Sequence, residues 1–125
     1  MNSSTRVPLA LATLSLLALA APARATTVTE CHAAIQVVRG DLAGVVVGGN
    51  NPDQTRASLD SKLTGADLKL DQGKFFDAAT KLSDFRQSAS TAQSQGKLSD
   101  GTTTVAQLLQ DADAASACVQ SLLSQ

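Results

Sequence analysis

Apolar residues recur at helical spacing from residue 28 to the end of the chain. Val28, Cys31, Ile35, Val38, Leu42 and Val45 follow at steps of 3, 4, 3, 4 and 3, one continuous stripe along a helix face. Thr27 with Glu30 predicts a capping box at its start. Gly48-Gly49-Asn50 predicts its end, because glycine accepts the left-handed backbone of a helix terminus. Gly40 falls inside this helix at about 1 kcal/mol relative to alanine, which leaves room for a kink or fraying. Asn51-Pro52-Asp53 reads as the N-cap, N1 proline and first-turn acid of a second helix. Its buried stripe is Leu59, Leu63, Ala66 and Leu70, and Gly73 closes it.

A third helix follows at once, with Phe75, Ala78 or Ala79, Leu82, Phe85 and Ala89 facing inward and Gly96 at its end. Ser99 or Asp100 is expected to cap a fourth, with Leu98 as a hydrophobic staple. Its stripe is Val105, Leu108, Ala112, Ala115, Val119 and Leu122, with Cys118 beside it. Strand-like alternation is missing throughout, so no sheet is required. Four helices of about 20 residues with short connections predict an all-α, up-down-up-down bundle.

Upstream of residue 26 the pattern changes. Arg6 precedes an apolar run from Leu9 to Ala21, Pro22 breaks it, and Ala23-Arg24-Ala25 puts small residues at −3 and −1. This predicts a signal peptide over residues 1–25, cleaved between Ala25 and Thr26. The run is short of the about 20 residues a membrane span needs, and no second apolar run of spanning length follows. A periplasmic or secreted domain over residues 26–125, without a membrane span, is expected. Arg6 and Arg24 leave with the signal while no acid does, so the formal charge moves from −1 to about −3. A mildly acidic chain disfavours nucleic acid as a partner. A monomer is expected, with an extracytoplasmic protein as its partner.

Export gives the two cysteines their meaning. Cys31 lies one turn into the first helix and Cys118 about two turns from the end of the last. An up-down-up-down bundle brings those places to the same end, so a Cys31–Cys118 disulfide is predicted in an oxidising compartment. Unpaired thiols or an intermolecular bridge are the alternatives. Beyond Met1 the chain has no methionine, and it has neither Trp nor Tyr, so the core must be built from Leu, Val and Ala around Phe75, Phe76 and Phe85. A small core of that kind gains from a covalent tie.

Leu59…Gln72-Gly73-Lys74 is echoed 23 residues later by Leu82…Gln95-Gly96-Lys97, which predicts similar helix ends within one αα-hairpin. Ser58-Leu59-x-x-Lys62-Leu63, Gly73-Lys74, Ala78-x-x-x-Leu82-x-x-Phe85, Gly96-Lys97-Leu98-Ser99, Leu108-Leu109 and Ala112 together carry a resemblance. Over residues 56–119 the chain resembles the FIMAH-type helical modules of secreted bacterial proteins. The resemblance implies an all-α accessory module outside the cytoplasm and gives no catalytic residue to carry over. Here the module is expected to be the whole mature chain, of which the matching region covers roughly two-thirds, and that chain carries a cysteine pair not associated with the family.

No residue pattern calls for catalysis, a cofactor or a metal. His32 is the only histidine, and with Cys31 assigned to the disulfide it reads as a partly exposed helix residue. Asp67 and Asp71 share a helix face, whereas Asp111 and Asp113 do not; neither pair has the ligands of a calcium loop, so weak surface cation binding is the most they imply. Arg56 with Asp60, like Asp77 with Lys81, reads as an i,i+4 pair on a solvated face. Ser94-Gln-Gly-Lys97 matches Ser-x-x-Lys without the further motifs a penicillin-recognising site needs. Arg39-Gly40-Asp41 is an integrin-type tripeptide placed inside a helix. The expected function is therefore non-enzymatic binding through a helix face. The alternative is carriage of a small apolar ligand or lipid between the helices, with Val45-Val46-Val47 at the mouth.

Overall fold

The computed structural model describes residues 25–125, so the expected signal peptide lies outside the described residues except for Ala25. Four helices account for most of them: α1 (Val28–Gly44), α2 (Pro52–Asp71), α3 (Phe75–Ser94) and α4 (Val105–Leu123). Each packs on the next, and α4 closes back on α1. This is the expected antiparallel four-helix bundle.

The apolar stripes form its centre. Ile35, Val38 and Leu42 of α1, Leu59, Leu63 and Leu70 of α2, Leu82 and Phe85 of α3, and Val105, Leu108 and Val119 of α4 are all buried. Phe85 is the largest fully buried side chain. Alanines 66, 78, 89, 112 and 115 are buried between them, which lets helix axes approach toward the short end of the usual 8–10 Å.

The two ends of the bundle are closed differently. At the end holding the start of α1 and the end of α4, Cys31 and Cys118 are disulfide-bonded with their Cα atoms 5.5 Å apart. Gln125 Nε2 adds a hydrogen bond of 3.1 Å to the Thr26 carbonyl. At the other end, the α1–α2 and α3–α4 connections meet as a two-stranded antiparallel ribbon. Its strands are β1 (Val46–Val47) and β2 (Leu98–Ser99), with Val46 opposite Ser99 and Val47 opposite Leu98. The Gly48 amide extends the pairing by donating to the Lys97 carbonyl at 2.8 Å.

The ribbon corrects the expected end of the first helix. α1 runs without interruption through Gly40 but stops at Gly44, well before Gly48-Gly49-Asn50, and Val45 is already extended. β-Branched Val45, Val46 and Val47 favour strand geometry, and here they have a strand to pair with. The start of α4 is also displaced. Thr104 is its N-cap, accepting from the Gln107 amide at 3.0 Å, while Asp100 Oδ1 reaches forward to the Val105 amide at 2.8 Å. Asn51 occupies the N-cap position of α2 as expected but makes no capping bond through its side chain. The capping box of Thr27 and Glu30 is present.

The 23-residue echo is a repeated helix terminus. Lys74 donates to the Lys69 carbonyl and Gly73 to that of Leu70, with Gly73 at φ +73°. Lys97 donates to Ala92 and Gly96 to Gln93, with Gly96 at φ +74°. Both are Schellman ends.

Gly101 is required for a different reason. A Cβ there would strike the Gly44 carbonyl oxygen and stand 3.1 Å from Val46 Cγ2. The carbonyl belongs to backbone already held by the Thr103 amide, which donates to it at 3.1 Å. Gly101→Ala should cost about 2 kcal/mol by over-packing, read as a thermal midpoint roughly 10 °C lower.

Candidate functional site

Three polar features lie on this frame, each between a different pair of helices. The first runs the length of the α1–α2 seam. His32, Gln36 and Arg39 form one face of α1, and Asp60, Asp67 and Asp71 face them from antiparallel α2. Arg39 binds Asp60 through two nitrogens, at 2.9 and 3.2 Å. Gln36 Nε2 donates to Asp67 Oδ2 at 2.8 Å. His32 Nδ1 lies 2.7 Å from Asp67 Oδ1, and Nε2 lies 2.8 Å from Asp71 Oδ1.

His32 is thus partly exposed, as expected, but gripped at both ring nitrogens. A carboxylate only accepts, so each nitrogen must carry a hydrogen to satisfy both contacts, which makes the ring an imidazolium. Burial works against the charged form, but the hydrogen bonds to Asp67 and Asp71 and their charges outweigh it and raise the pKa of His32 above its ordinary 6.5. The cation between Asp67 and Asp71 is therefore supplied by the chain itself. Among the described residues no group of three or more His, Cys, Asp or Glu side chains is set to hold a metal ion.

The seam ends at Arg56, whose placement overturns the expected solvated i,i+4 pair with Asp60. Its Nη1 donates to the Leu42 carbonyl and its Nη2 to the Val45 carbonyl at 3.2 Å. The guanidinium serves as a side-chain cap for the C-terminus of α1, where cationic groups are favoured. Asp60 is taken by Arg39 instead.

The second feature is a pair of carboxyl groups between α1 and α4. Asp41 is half-buried, and its Oδ2 is shielded from solvent without a hydrogen-bond donor. Burial, then the hydrogen bond with Asp111 and its charge, push Asp41 up to about 6. Asp111 is held by Gln107 Nε2 at 3.0 and 3.1 Å. Asp113 points elsewhere, to Arg86 Nε of α3 at 2.7 Å, in keeping with the expected divergence of the two acids.

The third feature is a surface groove of about 540 Å³ between α2 and α3, at the ribbon end of their hairpin. Small side chains at Ser58, Ser88 and Ala92 leave the space, and buried Leu59 and Ala92 contribute apolar surface to it. Its polar lining includes Gln54, Gln87, Thr91 and Gln95, neutral groups that both donate and accept hydrogen bonds. Lys97 is its one charged lining residue, and no carboxylate lines it. The volume falls within the range of small-molecule and peptide-side-chain sites.

Other motifs stay where the sequence put them. Arg39-Gly40-Asp41 lies inside α1, with both charged residues engaged as described. Ser94 Oγ donates to its own helix, at the Ser90 carbonyl, while Lys97 lies beyond Gly96 in the groove lining. Of the valines expected at a ligand mouth, Val45 is buried and Val46 and Val47 are strand residues. No helix among the described residues is long and apolar enough to cross a membrane. No family model, curated protein or solved structure matches the chain.

Proposed function

We propose that this chain is an exported, non-enzymatic accessory protein that binds another extracytoplasmic protein through the α2–α3 face. The observation that carries the proposal is the groove: a hydrogen-bonding trough whose lining is uncharged except for Lys97, between helices fixed at both ends of the bundle. Its amide and hydroxyl side chains stand one helical turn apart along each wall. Such rows suit the repeating N–H and C=O groups of an extended polypeptide, and Lys97 suits a carboxylate at one end of it. A disulfide fits an oxidising compartment, and the accessory role implied by the FIMAH-type resemblance belongs to the same reading.

Site-specific photo-crosslinking in cells tests it. A photoreactive residue at Ser58 or Thr91, in the groove, should yield one discrete protein adduct. The same residue at exposed Val37, on the outer face of α1, should yield none. Equal labelling at all three positions, or no adduct from the groove, overturns the proposal. A small apolar molecule retained in native mass spectra, with an unlabelled groove, would instead favour the carrier function.

A further inference from the structure

The α1–α2 and α1–α4 seams share a property that concerns neither the groove nor its occupant. We propose that α1 is clamped to both neighbours by protons, so that mild acid tightens the bundle and a shift to neutral or alkaline conditions loosens it along α1.

The geometry on the α2 side requires a doubly protonated ring. With both His32 nitrogens within 2.8 Å of carboxylate oxygens, loss of either proton turns a lone pair toward an anion. The two contacts are unequal. The Asp67 side chain is 17% exposed and already fixed by Gln36, whereas that of Asp71 is 67% exposed. Deprotonation therefore breaks the Nε2–Asp71 contact, and Asp71 turns to water while Nδ1–H stays on Asp67.

On the α4 side a proton is favoured for another reason. A shielded Asp41 oxygen without a donor, set against Asp111, is tolerable as a carboxyl group and costly as a second carboxylate. Asp53 lines the Arg56 end of the α1–α2 seam, and the other charged groups beside the two clamps are partnered. Arg56 is on the α1 carbonyls, Arg39 is on Asp60, and Asp113 is on Arg86. Cys31, next to His32 in sequence, is in the disulfide and does not titrate.

Both effects have the same sign. His32 has its pKa raised in the folded state, so its contribution is complete below about 6.5 and is lost as pH rises through the higher folded value. Asp41 is raised from 3.8 to about 6, so its contribution is lost as pH climbs between those values. Between pH 5 and 8.5 both changes destabilise the fold as pH rises.

Thermal unfolding of the oxidised protein between pH 5 and 8.5 tests this. The wild-type midpoint should fall by roughly 5–10 °C across that range. Asp41→Asn should raise the midpoint at pH 8 and remove the part of the fall below about pH 7. His32→Gln keeps hydrogen-bonding capacity without titrating and should remove the part above it. The double variant should give a flat profile. A wild-type midpoint that is constant or rises with pH, or a fall that survives in the double variant, overturns the proposal. Proton NMR of the His32 ring in the unmodified protein is an independent readout: a titration midpoint above 6.5 is expected, and one at or below it removes the α2 clamp.

Discussion

Breaking the Cys31–Cys118 bond lowers the stability of the fold by about 4–5 kcal/mol. The bridge spans 87 positions, so in the unfolded chain it closes a loop comprising most of the described residues. Chain entropy alone then gives an effect of that size, acting mainly by restricting the unfolded ensemble. A domain of about 100 residues has a net stability of only 5–15 kcal/mol, and this core contains no tryptophan or tyrosine and many alanines. The reduced protein should therefore sit near the limit of folding.

The measurement is a pair of unfolding curves, oxidised and reduced, read by circular dichroism. At 4–8 °C per kcal/mol the thermal midpoint should drop by roughly 20–30 °C. Cys31→Ala with Cys118→Ala should reproduce the drop without reductant, which separates loss of the bond from reductant effects. A change of only a few degrees would mean that the apolar core and the ribbon at the far end suffice without the bridge. The thiols matter most at Cys31, which is fully buried in the core beside Ile35 and Val38.

Much of the fold was legible because helical periodicity reports directly on burial. All four stripes face the core, with Val28, Phe75 and Leu122 at its partly buried margins. The disulfide followed from topology, since alternating helices bring Cys31 and Cys118 to one end. The echoed Gln-Gly-Lys steps marked two Schellman ends because only glycine takes their left-handed backbone cheaply. The polar seam was not legible in the same way. A sequence gives the face on which His32, Gln36 and Arg39 lie, but not the rotation of the neighbouring helix that decides whether Asp67 or a water molecule meets them. Local pairing of Arg56 with Asp60 was the nearest available reading, and the actual partners lie across the seam. Ser99 or Asp100 was the expected cap, but the ribbon pins Ser99 into a strand before any helix can begin, and Thr104 takes the N-cap. The groove left no periodic signal, because small residues on facing helices are as common in tight contacts as beside open space.

Arg56→Ala lowers stability by about 3 kcal/mol, the largest expected effect of any single partly exposed side chain here. Helix ends leave carbonyls without partners, and α1 has no glycine cap to turn them. The Gly44 carbonyl is covered by the Thr103 amide and the Thr102 hydroxyl, and that of Asp41 by the Val45 amide. Leu42 and Val45 depend on the guanidinium. Hydrogen bonds from a charged donor are worth about 1.5–3 kcal/mol each, and water recovers part of the loss once the side chain is gone. Arg56→Lys separates charge from geometry. An ammonium is a point donor without the planar fork that reaches two carbonyls at once, so it should restore less than half of the loss. Guanidinium-induced unfolding of the three proteins gives the comparison. Amide exchange adds its location: the amides of Val45, held by the Asp41 carbonyl, and of Gly48, held by Lys97 in the ribbon, should lose protection in Arg56→Ala before those of α3 do. Uniform loss across all helices, or an alanine variant as stable as its parent, would show that α1 ends securely without the arginine.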